Sequence, residues 1–411
     1  MTRPAAARDA LVHSSDQPIR VRLEALTKIF GPSPAAAQTL LDRGASRAEI
    51  QKETGCVVGL HDVSFDVREG EILIVMGLSG SGKSTTLRCI NRLIEPTSGR
   101  VVVDGTDVTG LSERDLLAFR RRKFGMVFQQ FALFPHRSIL SNVEYGLEIQ
   151  GTPAAARRDR AMAAIEQVGL KGWETAFPAQ LSGGMQQRAG LARALAIDPD
   201  ILLMDEAFSA LDPLIRRDMQ GELVALQQRL RKTIVFVSHD LDEAIALGGR
   251  IVLMRDGRIV QQGSALSFLV DPADDYVERF VSHIDVLGVL TAADIMEEVP
   301  VALAESAGDA DIAAAFARTG ARFGFLVDAA GRPTASLSAG GAGRAKPHIV
   351  RSGETLRSTL GVLARDGHAV AVIDGDGGLI GLLSEHGVVA ALAAQHRRTR
   401  ARQDAAQGPE A

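Results

Sequence analysis

A chain of 411 residues is long for one ordinary domain, and 46% hydrophobic against 23% charged residues is the balance of a globular protein able to build real cores, which excludes a disordered one. A net charge of −4 gives no general electrostatic case for nucleic acid, and two cysteines, Cys56 and Cys89, exclude a disulfide framework and point to a reducing compartment. No apolar run approaches the ~18 residues of a membrane span, and the stretch around Asp9, His13 and Asp16 has no apolar secretory core, so the expectation is a soluble chain or one held at a membrane by partners.

Residues 1–18 are expected to be disordered. Ile19-Arg20-Val21-Arg22-Leu23 alternates and reads as a strand. After Leu26 to Gly31, the segment from about 32 to 55, with Leu40, Leu41 and Ile50 at helical spacings, reads as a helical insertion. Leu60 to Val67 resumes the strand pattern, and Ile72-Leu73-Ile74-Val75-Met76 reads as a buried strand. It runs into Gly77-Leu78-Ser79-Gly80-Ser81-Gly82-Lys83-Ser84-Thr85, after which Thr86 to Leu93 reads as a helix. Strand, glycine-rich turn, Lys-Ser pair and helix together are the context of a phosphate-binding P-loop, which a chance glycine-rich turn would not reproduce. The glycines let backbone N–H groups converge on phosphate oxygens, and the helix start adds its unpaired donors. Lys83 is predicted to reach the β- and γ-phosphates and the Ser84 hydroxyl to hold Mg²⁺.

Further along, Arg100 to Gly105 reads as a strand and hairpin turn, and Phe124 to Phe128 as a short strand that delivers Gln129. A mostly polar helical region follows from about Ile139 to Val168. Leu181-Ser182-Gly183-Gly184-Met185-Gln186-Gln187-Arg188 opens an Ala/Leu-rich helix that runs to Ala196. Ile201 to Met204 is an apolar strand ending in Asp205-Glu206, and Thr233 to Val237 another, ending in Ser238-His239-Asp240. Short buried strands alternating with helices imply a mainly parallel sheet covered on both faces, with its ligand at the carboxyl ends of the strands. The P-loop, Gln129, Asp205-Glu206 and His239 all fall there. Asp205 suits a Mg²⁺-holding carboxylate, Glu206 a general base toward water, and His239 a contact to the γ-phosphate. Gln129 suits positioning of water or Mg²⁺. Taken singly, each has a bland reading: a solvated strand end, a structural histidine, a loop glutamine.

From near Ile284 the chain holds a weak internal repeat. Ala317 to Asp328 with Leu337-Ser338 matches Ala364 to Asp374 with Leu383-Ser384 at a spacing of about 46–47 residues. The end turns basic at Arg397, Arg398, Arg400 and Arg402.

Leu181 to Arg188 resembles the signature motif of ABC-transporter ATPases, LSGGQ, with Met185 in place of the consensus Gln and Ser182, Gly183 and Gly184 intact. In that family the motif faces the γ-phosphate of the ATP bound by the partner subunit. The resemblance makes Asp212 part of the D-loop, His239 the switch histidine, and Phe30 an adenine-stacking aromatic, for which a core phenylalanine is the alternative. Gly77 to Gly80, Phe131 to His136, Met204 to Arg216 and Ser238 to Ala244, with the insertion after Gly31, resemble the ATPase subunit of glycine betaine/proline betaine importers. The C-terminal repeat resembles a CBS pair. It is degenerate: CBS motifs place a ribose-holding Asp three residues after a Ser or Thr, and here Ser338 and Ser384 are followed at that distance by Gly341 and Gly387.

The resemblance implies an α/β fold: a P-loop ABC-type ATPase domain with a helical subdomain over 19–282, a tandem CBS-like regulatory pair over 283–394, and a basic disordered tail over 395–411. It implies ATP and Mg²⁺ as cofactors and hydrolysis driving import of compatible solutes. Its implied partners are a second copy of the ATPase, integral-membrane permease subunits and, indirectly, an extracytoplasmic solute-binding protein, with no nucleic acid. The place implied is peripheral, at the cytoplasmic face of the membrane. The basic tail, near anionic lipid, is expected to make transport sensitive to ionic strength. Other readings stay open: the ATPase of a different ABC importer or of an exporter, a soluble ABC protein with a non-transport role, or a C-terminal ligand sensor with the ATPase as its output.

Overall fold

The computed structural model describes residues 17–282, 286–339, 344–363, 369–384 and 388. They form two compact units, one within 12–268 and 272–277, the other within 269–271 and 278–411. The expected disorder of residues 1–18 lies outside the described residues except at Gln17 and Pro18, whose carbonyls accept from Arg68 Nη1 at 3.1 Å and Glu69 N at 2.9 Å; the onset of the second region near Ile284, Ala364 to Gly367 of the repeat and the basic tail also lie outside them.

In the first unit, β1 (Ile19–Phe30) pairs antiparallel with β2 (Val57–Arg68). The alternation seen at Ile19–Leu23 continues past a bulge at Ala25, which takes φ +47° and donates its N–H to Ser64 Oγ at 2.8 Å, so the strand reaches Phe30. Between the two strands lie two short helices, α1 (Pro34–Asp42) and α2 (Arg47–Thr54). Ser46 and Glu49 close a capping box on α2, and Gly55 at φ +69° ends it. Ala37, Leu41 and Ile50 bury themselves against Ile29, Cys56 and Val58, so the insertion carries a small core of its own.

Next come β3 (Ile72–Met76), buried along its whole length, and α3 (Lys83–Ile90). This helix starts and stops earlier than the expected Thr86–Leu93. Gly82, left-handed at φ +102°, is its N-cap, Thr86 N already donates to Gly82 O at 2.8 Å, and Arg92 at φ +54° lies beyond its end. Then follow β4 (Ser98–Val103), β5 (Thr106–Asp107), α4 (Glu113–Lys123) and β6 (Phe124–Val127). The 139–168 stretch divides into α5 (Ile139–Ile149) and α6 (Ala154–Gln167), because Gly151 turns at φ +77° and Pro153 has no N–H to continue a helix. With α7 (Gly183–Ala196) they form a helical layer packed on itself. The remainder is β7 (Ile201–Asp205), α8 (Pro213–Leu230), β8 (Thr233–Val237), α9 (Leu241–Leu247), β9 (Arg250–Arg255) and β10 (Arg258–Gly263).

The strands make two sheets. One is antiparallel, in the order β2-β1-β4-β5; the other is six-stranded, β10-β9-β3-β8-β7-β6, parallel except for β10. A single apolar core joins them, with Leu23, Phe65 and Val101 from the first sheet, Leu73, Leu203 and Val235 from the second, and Leu87 and Ile90 of α3. Burial pushes the Cys89 thiol up to about 12, which leaves it an inert apolar group. The carboxyl ends of β3, β6, β7 and β8 share one edge of the parallel sheet, and the P-loop, Gln129, Asp205-Glu206 and His239 leave from it.

The second unit repeats one small motif. β11 (Ala302–Ala304) pairs parallel with β12 (Phe323–Val327) after α10 (Asp309–Thr319), and β13 (Pro333–Ser338) returns antiparallel. β14 (Ile349–Arg351), α11 (Leu356–Leu363), β15 (Val370–Ile373) and β16 (Leu379–Leu383) do the same. Phe325 of the first copy packs with Ala369, Ala371 and Leu382 of the second, so the copies share a core. Ser384 Oγ donates to Glu297 Oε1 at 2.6 Å. Gly341 and Gly387 lie outside the described residues.

Candidate active site

The P-loop wraps closely enough that Gly77 and Gly82 are required. A Cβ on Gly77, at φ +143°, would sit 2.2 Å from Met254 O; one on Gly82 would sit 2.8 Å from Gly59 O. Leu78, Ser79 and Gly80 form the exposed crest, and Ser84 and Thr85 open α3. Lys83 folds back under the loop, its Nζ donating to Gly77 O at 2.9 Å and Leu78 O at 3.1 Å. Desolvation by burial lowers its pKa, and the charges of Glu206 and Asp205 oppose that shift. Ser81 Oγ is buried with no hydrogen-bond partner among the described residues. An orphaned hydroxyl, a cation held by loop carbonyls and a helix start with no acidic residue in its first turn make a cradle for an anion, and ATP phosphates fit it.

Beside the cradle, Ser84 Oγ donates to Asp205 Oδ1 at 2.7 Å, and Arg88 Nη2 to Asp205 Oδ2 at 3.2 Å. A hydroxyl and a buried carboxylate are the hard oxygen donors that Mg²⁺ takes, so the residues fit that ion. Glu206 does not continue β7. It turns to φ +47°, its N–H donates to Val237 O at 3.1 Å, and its carboxylate swings over the cradle. There Oε2 accepts from Gln129 Nε2 at 3.3 Å and lies 3.5 Å from His239 Nδ1, while Oε1 is 4.0 Å from Lys83 Nζ. Gln129, Glu206 and His239 leave three different strands and meet at one carboxylate. A left-handed conformation at a non-glycine residue carries strain, which active sites often hold.

Ser182, Gly183, Gly184 and Asp212 form a second group. Ser182 N-caps α7, its Oγ accepting from Met185 N at 3.4 Å, and Asp212 precedes Pro213 at the start of α8. A Cβ on Gly184 would meet Ile215 Cγ2 at 2.7 Å. Among the described residues no hydrogen bond or ion pair joins this group to the P-loop cluster. Phe30 is 39% exposed, so it is not a core phenylalanine; Lys28 Nζ lies 5.0 Å from its ring centre.

Two arginines of the site were given no role by the linear pattern, although Arg216 closes the Met204–Arg216 stretch. Arg216 donates through Nη2 to Ser209 O and Leu211 O, both at 3.2 Å, and through Nη1 to Asp240 Oδ2 at 3.4 Å, tying the turn before Asp212 to the turn after His239. Arg88 is the other, on Asp205. Each looks like an ordinary helix-surface cation until the strand ends are brought together.

Glu243 follows His239 by four residues, in α9. It is buried, takes a hydrogen bond from the Ser238 hydroxyl and another from Gln220 Nε2 at 3.2 Å. Burial raises its carboxyl above the ordinary value of 4.5, and those two bonds oppose the rise. An acid that holds its proton more tightly when folded makes stability fall as pH climbs from 4.5 through the raised value; above both, the full penalty applies. Glu243→Gln is therefore expected to melt higher than the native chain at pH 8, with the gain closing as pH falls toward 4.5. Calorimetry across a pH series checks this, and an equal or lower melting temperature at pH 8 rejects it.

Comparison with known proteins places this geometry. Residues 60–209 match the ABC transporter family, and residues 343–394 match the CBS domain family. A dimeric MJ0796 ATP-binding cassette, solved after hydrolysis with ADP and phosphate bound, is similar in structure, with a TM-score of 0.50 at 34% identity; the match covers 59% of this chain and 98% of that one. The fold and site thus define an ABC transporter ATPase, a subunit that binds and hydrolyses ATP. The glycine betaine transport ATP-binding protein OpuAA of Bacillus subtilis (strain 168) is 55% identical over 282 residues, 69% of this chain and 68% of the relative. The glycine betaine/proline betaine transport system ATP-binding protein ProV of Escherichia coli (strain K12) is 51% identical over 282 residues, 69% of this chain and 70% of the relative. The chain belongs to the family of glycine betaine/proline betaine transport ATP-binding proteins. No helix among the described residues is long and apolar enough to cross a membrane.

Proposed function

We propose that two copies of this chain close around two ATP molecules at the cytoplasmic face of a membrane and so power import of glycine betaine/proline betaine-type compatible solutes. The observation that carries the hydrolytic part is the meeting of Lys83, Gln129 and His239 at Glu206, beside the Ser84–Asp205 pair. The substrate class rests on the kinship with OpuAA and ProV.

Bound Mg²⁺·ATP supplies the phosphoanhydride to be split and the cation that neutralises its oxygens. The residues Gly77 to Gly82 and Thr85 line the phosphates with N–H groups. With nucleotide bound, Lys83 would trade its loop carbonyls for phosphate oxygens, while Ser84 and Asp205, with Gln129, would hold the metal. Glu206 would take the proton of the attacking water, Gln129 would orient that water, and His239 would contact the γ-phosphate. Ser182, Gly183 and Gly184 serve the partner copy's ATP, with Asp212 between the two sites, and Phe30 offers its exposed face to adenine. The ATPase part spans 19–282. The CBS-like pair, 283–394, keeps a dimerising or regulatory role, and Gly341 and Gly387 at the ribose positions count against adenosine binding there.

Permease subunits would dock at a cleft of about 340 Å³ lined by Phe128, Phe134, Tyr145, Arg193 and Ile197, next to the segment from Gln129 to His136. That cleft abuts the loop carrying Gln129, so a seated helix could sense the state of the site. In proteoliposomes holding this chain with its permease, ATPase activity is expected to rise when a betaine-loaded binding protein is added. Stimulation by a different solute, with none by any betaine, would reject the substrate class.

A further inference from the structure

The helix capped by Ser182 holds a polar side chain with nothing to bond. Gln187 is fully buried, and neither its Nε2 nor its Oε1 has a hydrogen-bond partner among the described residues. A carboxamide has two donor hydrogens and an acceptor oxygen, and burying all of them unmet costs more than burying an apolar side chain of the same size. Its position on α7 says what it faces. Gly183, Gln187 and Gly190 share one face of the helix at spacings of four and three. A Cβ on Gly183 would lie 3.6 Å from Phe131 Cζ, and one on Gly190 3.4 Å from Phe131 O. Gln187 therefore sits beneath Phe131, in the irregular loop that leads from Gln129 toward α5.

That loop is already held at two places: toward α5, buried Asn142 accepts from Phe134 N at 2.7 Å and donates Nδ2 to Phe134 O at 3.1 Å and Arg137 O at 3.0 Å, and nearer Gln129 it is held from α7. Arg193, further along α7, donates Nη1 to Ala132 O at 2.5 Å and Nη2 to Phe131 O at 3.4 Å. Ala132 itself takes φ +49°, a conformation a non-glycine residue adopts at a cost. One helix thus anchors the loop with a cation and keeps a second, unused donor–acceptor pair directly under it.

We propose that Gln187 is a positioning residue for Gln129: its carboxamide bonds the main chain of Gln130 to Ala132 when the loop closes on bound nucleotide, and the orphaned arrangement is the open state. The inference rests on the reading of Gln129 given above. A carboxamide unsatisfied in one state and satisfied in the other favours the second state by the difference, which is how a buried polar group biases a two-state element.

Gln187→Met keeps the length of the side chain and removes its hydrogen bonding. The full chain is compared with this variant by amide hydrogen exchange over 129–134, with and without Mg²⁺·ATP, both in a Glu206→Gln background that prevents turnover. Nucleotide is expected to slow exchange at Phe131 and Ala132 by roughly tenfold with Gln187 present and by less than about twofold with Met. In the native background, kcat is expected to fall about tenfold with KM for ATP within about twofold. Without nucleotide, the variant should melt at the same temperature or up to roughly 2–4 °C higher, because an orphan has been removed. Equal nucleotide-induced protection in both chains, an unchanged kcat, or a lower melting point without nucleotide each overturns the proposal. If the chain that retains Gln187 gains neither protection nor thermal stability from Mg²⁺·ATP, the reading of the nucleotide site falls with it.

Discussion

Glu206→Gln is expected to bind ATP as the native chain does and to hydrolyse it roughly 10²–10⁴-fold more slowly, the contribution of a positioned general base. The substitution changes one oxygen to nitrogen and leaves the cradle alone. Gly77 to Lys83 are shaped by their own backbone and by Met254 and Gly59, not by Glu206. Lys83 keeps Gly77 O and Leu78 O as its anchors. What disappears is the negative charge to which Gln129, His239 and Lys83 converge. Binding without turnover should trap the closed pair, so the variant is expected to elute as an ATP-bound dimer on size exclusion while the native chain with ATP does not persist in that form. Hydrolysis within about twofold of native would remove Glu206 from the base role and leave its strained backbone without a catalytic reason.

Ser182→Arg is the second large effect. Hydrolysis is expected to fall by about 10²-fold or more, the scale of losing preorganised donors to a developing charge, while ATP binding to the isolated monomer stays near native. Ser182 and Gly183 are exposed at the start of α7, and no hydrogen bond or ion pair joins them to the P-loop cluster among the described residues. A long cation there would hold two copies apart without touching its own chain's phosphate cradle. The variant also loses an N-cap, the Oγ that accepts from Met185 N, at about 1 kcal/mol, so a small fall in melting temperature accompanies it. Titration with a fluorescent ATP analogue separates the two effects. Collapse of monomer binding would mean that Ser182 serves its own chain's site, and the two-chain arrangement would have to be abandoned.

These two variants divide the site along the line that the chain itself draws. Glu206 acts where its own strands end, and Ser182 acts, on this reading, across a contact with a second copy. Arg216 is the physical link between the halves, since one guanidinium holds the Ser209–Leu211 turn and the Asp240 carboxylate together.

The P-loop, the Asp205-Glu206 strand end and the Ser182-Gly183-Gly184 motif were all legible as residue patterns, because each is a run of neighbours in the sequence. β3, β7 and β8 were legible for the same reason: a continuous apolar run must be buried on both faces. The internal repeat at about 46–47 residues announced the paired motif that β11 to β13 and β14 to β16 make. Four features needed the folded chain. Glu206 bends left-handed only because Val237 O, on the neighbouring strand, is there to take its N–H. The insertion folds only because Ile29 and Val58, on the flanking strands, complete its core. Arg88 and Arg216 acquire roles only when distant strand ends meet, and Gln187 lacks partners only once the fold buries it. Neighbour-to-neighbour forces are written in the order of residues; contacts between segments far apart in the chain depend on how sheets and helices pack, and no local pattern encodes which polar groups that packing will leave facing one another.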